Sequence, residues 1–182
     1  GTERHLISLQ YSDSAFLGQE LVGQVYYRDE SLRFYPFPTV NANKQVTAFS
    51  SSQQDTDQYG MKLTLNSKPM DGWQITWGLD ADHERFTSNQ MFFDLAQASA
   101  SGGLNNKKIY TTGRYPSYDI TNLAAFLQSD YDINNLFTLN GGVRYQYTEN
   151  KIDDFIGYAQ QRQIAAGKAT SADAIPGGSV DY

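Results

Sequence analysis

Residues 123–148 read L-A-A-F-L-Q-S-D-Y-D-I-N-N-L-F-T-L-N-G-G-V-R-Y-Q-Y-T and contain two alternating segments joined by a very short turn. From Phe137 onward, odd positions carry mostly apolar or aromatic side chains and even positions carry mostly polar ones. Successive side chains of a β-strand point to opposite faces, so this period of two predicts a strand with one apolar and one polar face. Asp132, Asn134 and Asn135 tolerate tight turns, and the stretch therefore predicts a β-hairpin.

The same alternation recurs along the chain and predicts an all-β protein, an antiparallel up-and-down meander of about six long strands. The strands are expected at about residues 3–11, 19–35, 57–66, 73–84, 123–133 and 137–148. The fourth has the clearest alternation, and its register is strongly fixed because a slip of one residue would carry its carboxylates to the apolar face. The second strand is longer than the common length of about 5 or 6 residues in soluble sheets.

Short and long connections alternate along this meander. The long ones are expected at about 38–55, 87–119 and 149–179, with short helices at 91–98 and 156–168. Consecutive connections of a meander lie at opposite ends of the sheet, so one rim collects the short turns and the other the long loops. That sorting is typical of outer-membrane barrels, with periplasmic turns and extracellular loops. The final residues, S-V-D-Y, read as the start of a further strand and suggest a section of a longer protein.

Composition argues against several classes of protein. The chain has 13 Tyr and 10 Phe but a mean hydropathy of -0.55, as expected when apolar and polar residues alternate. No run of about 18 apolar residues occurs, which excludes a transmembrane helix. A net charge of -6 argues against nucleic acid as a partner. Without cysteine there is no disulfide and no thiolate chemistry.

No motif specifies catalysis or a metal site. Asp80, Asp82 and Glu84 share one face of the fourth strand, whereas the alternation sends His83 to the opposite face. These acidic residues are therefore interpreted as solvated carboxylates lining a barrel. We expect no enzyme activity, no cofactor and no protein-bound metal.

The hairpin of residues 123–148 resembles the barrel hairpins of TonB-dependent outer-membrane siderophore receptors. In that family an F-x-Q-x-x-Y strand, a turn of two or three residues and an L-x-x-G-x-R-Y strand recur. The matching positions here are Phe126, Gln128, Tyr131, Leu139, Gly142, Arg144 and Tyr145. Residues 77–86, W-G-L-D-A-D-H-E-R-F, resemble the family's G-x-D strand entering a surface loop. The resemblance covers the whole chain, residues 1–182.

The resemblance implies one section of a 22-stranded transmembrane β-barrel with a plugged lumen, in the outer membrane of a Gram-negative bacterium. It further implies import of a ferric hydroxamate-citrate siderophore, powered by TonB through a plug domain outside this chain. Iron would enter only as the siderophore complex, and outer-membrane lipid would surround the barrel. The residues leave an alternative open, a soluble β-rich binding module whose apolar face packs internally.

Two sets of candidate residues follow. A ferric siderophore that carries carboxylates favours Arg, Lys and Tyr donors at the rim with the long loops, and the candidates there are Arg33, Tyr35, Arg85, Lys107, Lys108, Tyr110, Arg114 and Tyr115. Each could instead be an ordinary solvated loop residue. The odd positions of the strands are expected to face lipid, and the residues assigned to that role are Trp73, Ile75, Trp77, Leu79, Phe137, Leu139, Val143 and Tyr145.

Overall fold

Six long strands form a single antiparallel sheet in the computed structural model, which describes residues 1–181. They are β1 (Thr2–Phe16), β2 (Gln19–Arg33), β4 (Val46–Met70), β5 (Trp73–Phe93), β7 (Tyr118–Asn134) and β8 (Phe137–Ile152). The shorter elements are β3 (Phe37–Val40), β6 (Lys108–Gly113), β9 (Gly178–Asp181), α1 (Leu95–Ala100) and α2 (Tyr158–Ala165). The sheet order β1-β2-β4-β5-β7-β8-β9 follows the chain, so the predicted all-β meander is confirmed.

The register gives the sheet two faces of different chemistry. Odd residues pair with odd residues across the long strands, as Leu63 does with Leu79 and Ala125 with Tyr145. We call the side that carries the odd residues of the long strands the odd face, and the opposite side the even face. The hairpin turn forms where predicted, because the Asn134 Oδ1 accepts hydrogen bonds from the backbone of Leu136 and Phe137.

Exposed apolar side chains form a band across the odd face. Its members include Leu9, Val25, Met61, Leu79, Leu127 and Val143. On β8 the band runs from the exposed Phe137 to the half-buried Tyr147, a span of about 33 Å along the strand. With a tilt of about 40°, this span corresponds to a height of about 25 Å, which matches the apolar band of outer-membrane barrels.

A row of ionisable residues borders this band on the side of the long connections. The six long strands each contribute one residue, and neighbours in the row are register partners: His5, Asp29, Asp57, Arg85, Asp119 and Lys151. The odd face therefore changes from apolar to charged at one level across the sheet.

The even face carries ion pairs, one at the level of the apolar band, Arg144 with Asp80, and one beside the ionisable row, Arg28 with Glu84. Arg144 lies 3.2 Å from Asp80, and Arg28 lies 4.0 Å from Glu84. His83 projects from the odd face, away from these carboxylates as the alternation predicts, and its Nε2 lies 3.2 Å from Asp119.

An aromatic ring on the even face covers a glycine of the neighbouring strand. A Cβ added to Gly78 would lie 2.6 Å from ring atoms of Phe126 and would also contact the backbone oxygen of Leu63. Glycine permits this close approach because it has no side chain.

The sheet continues farther toward the long connections than the sequence predicts. The Ser, Thr and Gln content of 38–55 predicts a loop, but β4 begins at Val46, where it pairs with β3, and from Phe49 it also pairs with β5. Met91–Phe93 likewise belong to β5 rather than to a helix. Helix α1 begins only at Leu95, after Asp94 accepts a hydrogen bond from the Gln97 backbone. Helix α2 confirms the helix predicted within 156–168.

The connections alternate in length after this correction. Pairs of residues at 17–18, 71–72 and 135–136 join the strands at one end, and residues 34–45, 94–117 and 153–177 join them at the other. Within residues 1–181, no helix is both long enough and apolar enough to span a membrane.

Candidate ligand-binding site

The connection 153–177 folds back onto the sheet through α2. Gln161 Oε1 accepts a hydrogen bond of 2.7 Å from the Gly113 backbone nitrogen and so covers the edge of β6. A Cβ on Gly113 would lie 3.2 Å from the Phe155 ring, so glycine allows the connection to approach closely. Helix α2 is thereby held against the end of the β5–β6 hairpin.

Aromatic side chains join α2 to the even face. The Phe92 ring, 2% exposed, stacks on Tyr110 with centroids 4.9 Å apart and on Tyr158 at 6.2 Å. The Arg162 guanidinium lies 5.3 Å from the centroid of the Phe92 ring, within the range of a cation–π contact. These residues and Lys168 line a cleft of about 380 Å³ between the helix and the hairpin.

Small polar side chains form a buried layer on the even face of the sheet extension. Its members are Ser50, Ser52, Ser88, Gln90 and Thr112. Gln90 Nε2 donates to Ser50 Oγ at 2.9 Å. The layer also anchors a predicted site residue, because Arg114 Nη1 donates a hydrogen bond of 2.6 Å to Ser52 Oγ.

The site is electropositive. Neither Arg114 nor Arg162 forms an ion pair with a carboxylate of residues 1–181. Burial raises the pKa of the Tyr158 phenol above its ordinary value, while the positive charges of Arg162 and Arg114 oppose that rise. The phenol stays protonated at neutral pH and can donate a hydrogen bond. The arrangement therefore suits an anionic ligand that also has apolar surface.

Three of the predicted ligand residues lie in this region. Tyr110 lines the cleft, and the Arg114 guanidinium lies 5.3 Å from the centroid of the Tyr115 ring. They come together because β6 brings the end of the 94–117 connection back beside β5.

Arg85 lies elsewhere and its charge is balanced. It projects from the odd face, where Nη1 is 2.6 Å from Asp119 and Nη2 is 3.3 Å from Asp153. These carboxylates compete with any anionic ligand, so Arg85 is a weaker candidate than Arg114.

The other four candidates are not gathered at the cleft. Arg33 donates to the Gln53 side chain at 2.9 Å. Tyr35 is 82% exposed beyond the end of β2. Lys107 and Lys108 are exposed where β6 begins. Their contact with ligand stays a prediction.

The sequence prediction missed the residues that the 153–177 connection contributes to the cleft. Tyr158 and Arg162 lie in α2 and Lys168 lies just after it; the short helix was predicted at 156–168, but none of these residues was named as a ligand candidate. The available signal was the spacing of Tyr158 and Arg162, since residues four apart share one face of a helix.

The predicted lipid-facing residues all project from the odd face. Six of them are well exposed: Trp77, Leu79, Phe137, Leu139, Val143 and Tyr145. Trp73 and Ile75, nearer the short turns, are half-buried. Whether this face touches lipid stays a prediction.

An antiparallel meander with one apolar and one ionic face, and with its long connections at one end, is the architecture of a section of a membrane barrel. Residues 1–182 match the family model of the TonB dependent receptor-like β-barrel, and the chain belongs to that family. The family predicted from the hairpin motifs is thereby confirmed.

Two relatives lie close in sequence. The chain is 98% identical over 175 residues to the Ferric aerobactin receptor of Escherichia coli; the matched segment covers 96% of this chain and 24% of that protein. The chain is also 45% identical over 181 residues to the Rhizobactin receptor of Rhizobium meliloti (strain 1021), and that match covers 100% of this chain and 24% of that protein. The chain thus spans about a quarter of the length of these relatives.

A solved structure has a similar fold. The Copper transporter OprC matches with a TM-score of 0.66 and 16% identity, covering 99% of this chain and 26% of that one. At this identity the similarity concerns the fold alone.

Proposed function

We propose that this chain is a barrel section of an outer-membrane receptor that binds a ferric hydroxamate-citrate siderophore of the aerobactin type. The observation that carries the proposal is the 98% identity to the Ferric aerobactin receptor. Transport would be an activity of the whole receptor, in which TonB supplies energy through a plug domain. Iron would be cargo within the siderophore, and the receptor would need no cofactor.

The two faces of the sheet support a position in the outer membrane of a Gram-negative bacterium. The odd face, with the eight predicted lipid-facing residues, would meet hydrocarbon along its apolar band of about 25 Å. The even face, with its ion pairs, would meet the plug and the aqueous lumen of a 22-stranded barrel. The two-residue turns would lie in the periplasm and the long connections outside the cell.

The ligand would contact the even face beneath α2. Arg114, Tyr110 and Tyr115 are the strongest of the predicted residues, and Tyr158 and Arg162 join them. Arginine binds carboxylates through paired N–H donors, and aromatic rings cover the apolar arms of a hydroxamate siderophore. Arg85 is left out because Asp119 and Asp153 already balance its charge.

A binding measurement on the full-length receptor tests this function. The receptor, purified from outer membranes and held in lipid vesicles, is titrated with ferric aerobactin and with a neutral ferric trihydroxamate. Saturable binding of ferric aerobactin in clear preference to the neutral complex is expected. Equal affinity for the two complexes would refute the assigned ligand, and recovery of the native protein from the soluble fraction would favour the soluble binding module.

A further inference from the structure

An open groove lies on the odd face, at the end of the apolar band nearest the ionisable row. Ala81 lies there between its register partners, Met61 on β4 and Leu123 on β7. Both partners are exposed, and the methyl group of Ala81 is too short to fill the space between them. These three residues, with Tyr59 and His83 one position nearer the row, line a groove of about 550 Å³.

Two rings border the groove on the side of the ionisable row. The rings of Tyr59 and His83 are tilted by 34°, with their centroids 5.2 Å apart. His83 is held in place, because its Nδ1 lies 2.9 Å from Thr121 Oγ1 and its Nε2 lies 3.2 Å from Asp119. Tyr59 is 56% exposed, so its ring is accessible from the odd face. A tyrosine ring has a negative π face, on which the C–H groups of a sugar pack favourably.

Asp57 lies just beyond the groove without a cationic partner. It is exposed, and it lies two positions from Tyr59 on the same face, about 7 Å along the strand. Its register partner Arg85 turns away from it and pairs with Asp119 instead. Asp57 Oδ1 accepts a hydrogen bond of 2.8 Å from the Tyr27 hydroxyl, and no ion pair within residues 1–181 includes Asp57. The carboxylate can therefore accept further hydrogen bonds from a ligand in the groove.

We infer that this groove binds one glycolipid of the outer leaflet, an assignment that rests on the proposed position in the outer membrane. An acyl chain would lie over Ala81, between Met61 and Leu123. The sugar would stack on Tyr59, and its hydroxyl groups would donate to Asp57. A lipid with a phosphate in place of the sugar fits less well, because the charge of Asp57 would repel it. The groove lies toward the long connections, so its lipid would belong to the outer leaflet.

The test measures lipid binding to the full-length receptor in phosphatidylcholine nanodiscs. The probe is fluorescent monophosphoryl lipid A, and one saturable site is expected. Ala81→Phe fills the groove and is expected to weaken binding at least about 10-fold. Gly141→Phe is the matched control, because Gly141 lines a second groove of the odd face, about 390 Å³ in volume and remote from the ionisable row. Equal affinity of these two variants would overturn the inference.

A second pair of measurements tests the recognition of the sugar. Asp57→Asn removes the charge of the acceptor, and an affinity lower by about 3- to 10-fold is expected. Unlabelled phosphatidylethanolamine with the same acyl chains is expected to compete at least about 10-fold more weakly than unlabelled monophosphoryl lipid A. Equal competition by the two lipids would show that the groove accepts any acyl chain, and the glycolipid assignment would be wrong.

Titration of the same nanodiscs with ferric aerobactin separates this inference from the proposed function. Ala81→Phe is expected to bind ferric aerobactin with unchanged affinity, because the groove and the cleft beneath α2 lie on opposite faces of the sheet, and this result also shows that the variant is folded. A receptor that binds ferric aerobactin but has no saturable site for monophosphoryl lipid A would refute the groove and leave the proposed function intact. The reverse result would refute the proposed function and support the groove.

Discussion

The position of Val143 gives a depth-dependent prediction for a charged substitution. Val143 is 70% exposed on the odd face of β8. It lies about 13 Å along the strand from Tyr147, at the upper limit of the apolar band, and about 20 Å from Phe137 at the lower limit. With a tilt of about 40°, these distances become depths of about 10 and 15 Å. Val143 is therefore close to the expected midplane of the bilayer.

Val143→Arg is expected to lower the free energy of unfolding by about 2 to 4 kcal/mol, the cost of an arginine facing lipid at the midplane. Tyr147→Arg, at the edge of the band, is expected to cost about 0 to 1 kcal/mol. Gln146→Arg on the even face is the matched control, and a change within about 0.5 kcal/mol is expected because this face meets water or protein.

The assay is urea-induced unfolding of the full-length receptor in lipid vesicles, followed by tryptophan fluorescence. A constant slope of free energy against urea would show that the variants unfold to the same extent, so the midpoints report stability. The assignment of the odd face to lipid is refuted if Val143→Arg and Gln146→Arg cost the same. It is also refuted if Tyr147→Arg costs more than Val143→Arg.

Two further substitutions test packing. Gly78→Ala places a methyl group 2.6 Å from the Phe126 ring, so we expect the free energy of unfolding to fall by about 1 to 3 kcal/mol in the same urea assay. Gly141→Ala is the control, because no atom lies within 4 Å of the added methyl group, and its stability should change by less than about 0.5 kcal/mol. Equal effects of the two substitutions would contradict the packing described. Tyr158→Ala removes the ring that holds α2 on the sheet and should speed proteolysis within 153–177 about 5- to 30-fold. Tyr35→Ala is the control and should not change the rate of proteolysis there. Equal cleavage of both variants would show that the stacking of Tyr158 on Phe92 does not hold this connection.

Local chemistry made several features predictable from the sequence. In a β-strand, side chains alternate regardless of the partner, so the identity of residues 73–84 and 137–148 is enough to assign their two faces. The turn at Asn134 was equally predictable, because its side chain bonds to backbone groups two and three residues away. Once the strands were placed, the number of residues between consecutive strands gave the alternation of short and long connections.

The length of β4 could not be predicted from its own residues. The segment that begins at Val46 is rich in Ser, Thr and Gln, which favour a loop when considered locally. Pairing with β3 on one side and β5 on the other satisfies its backbone and buries Ser50 and Ser52. The strand therefore depends on partners that are distant in sequence.

The sequence by itself determined the central parts of the six long strands, their two faces and the family, because each of these depends on residue identity and short-range spacing. Only the tertiary structure separated Arg114 from Arg85, two arginines that look alike beside the long connections. The carboxylates that balance Arg85 lie 34 and 68 residues farther along the chain, and the serine that holds Arg114 lies 62 residues before it. Whether an arginine is free to bind a ligand depends on the charges around it, and here folding decides which charges those are.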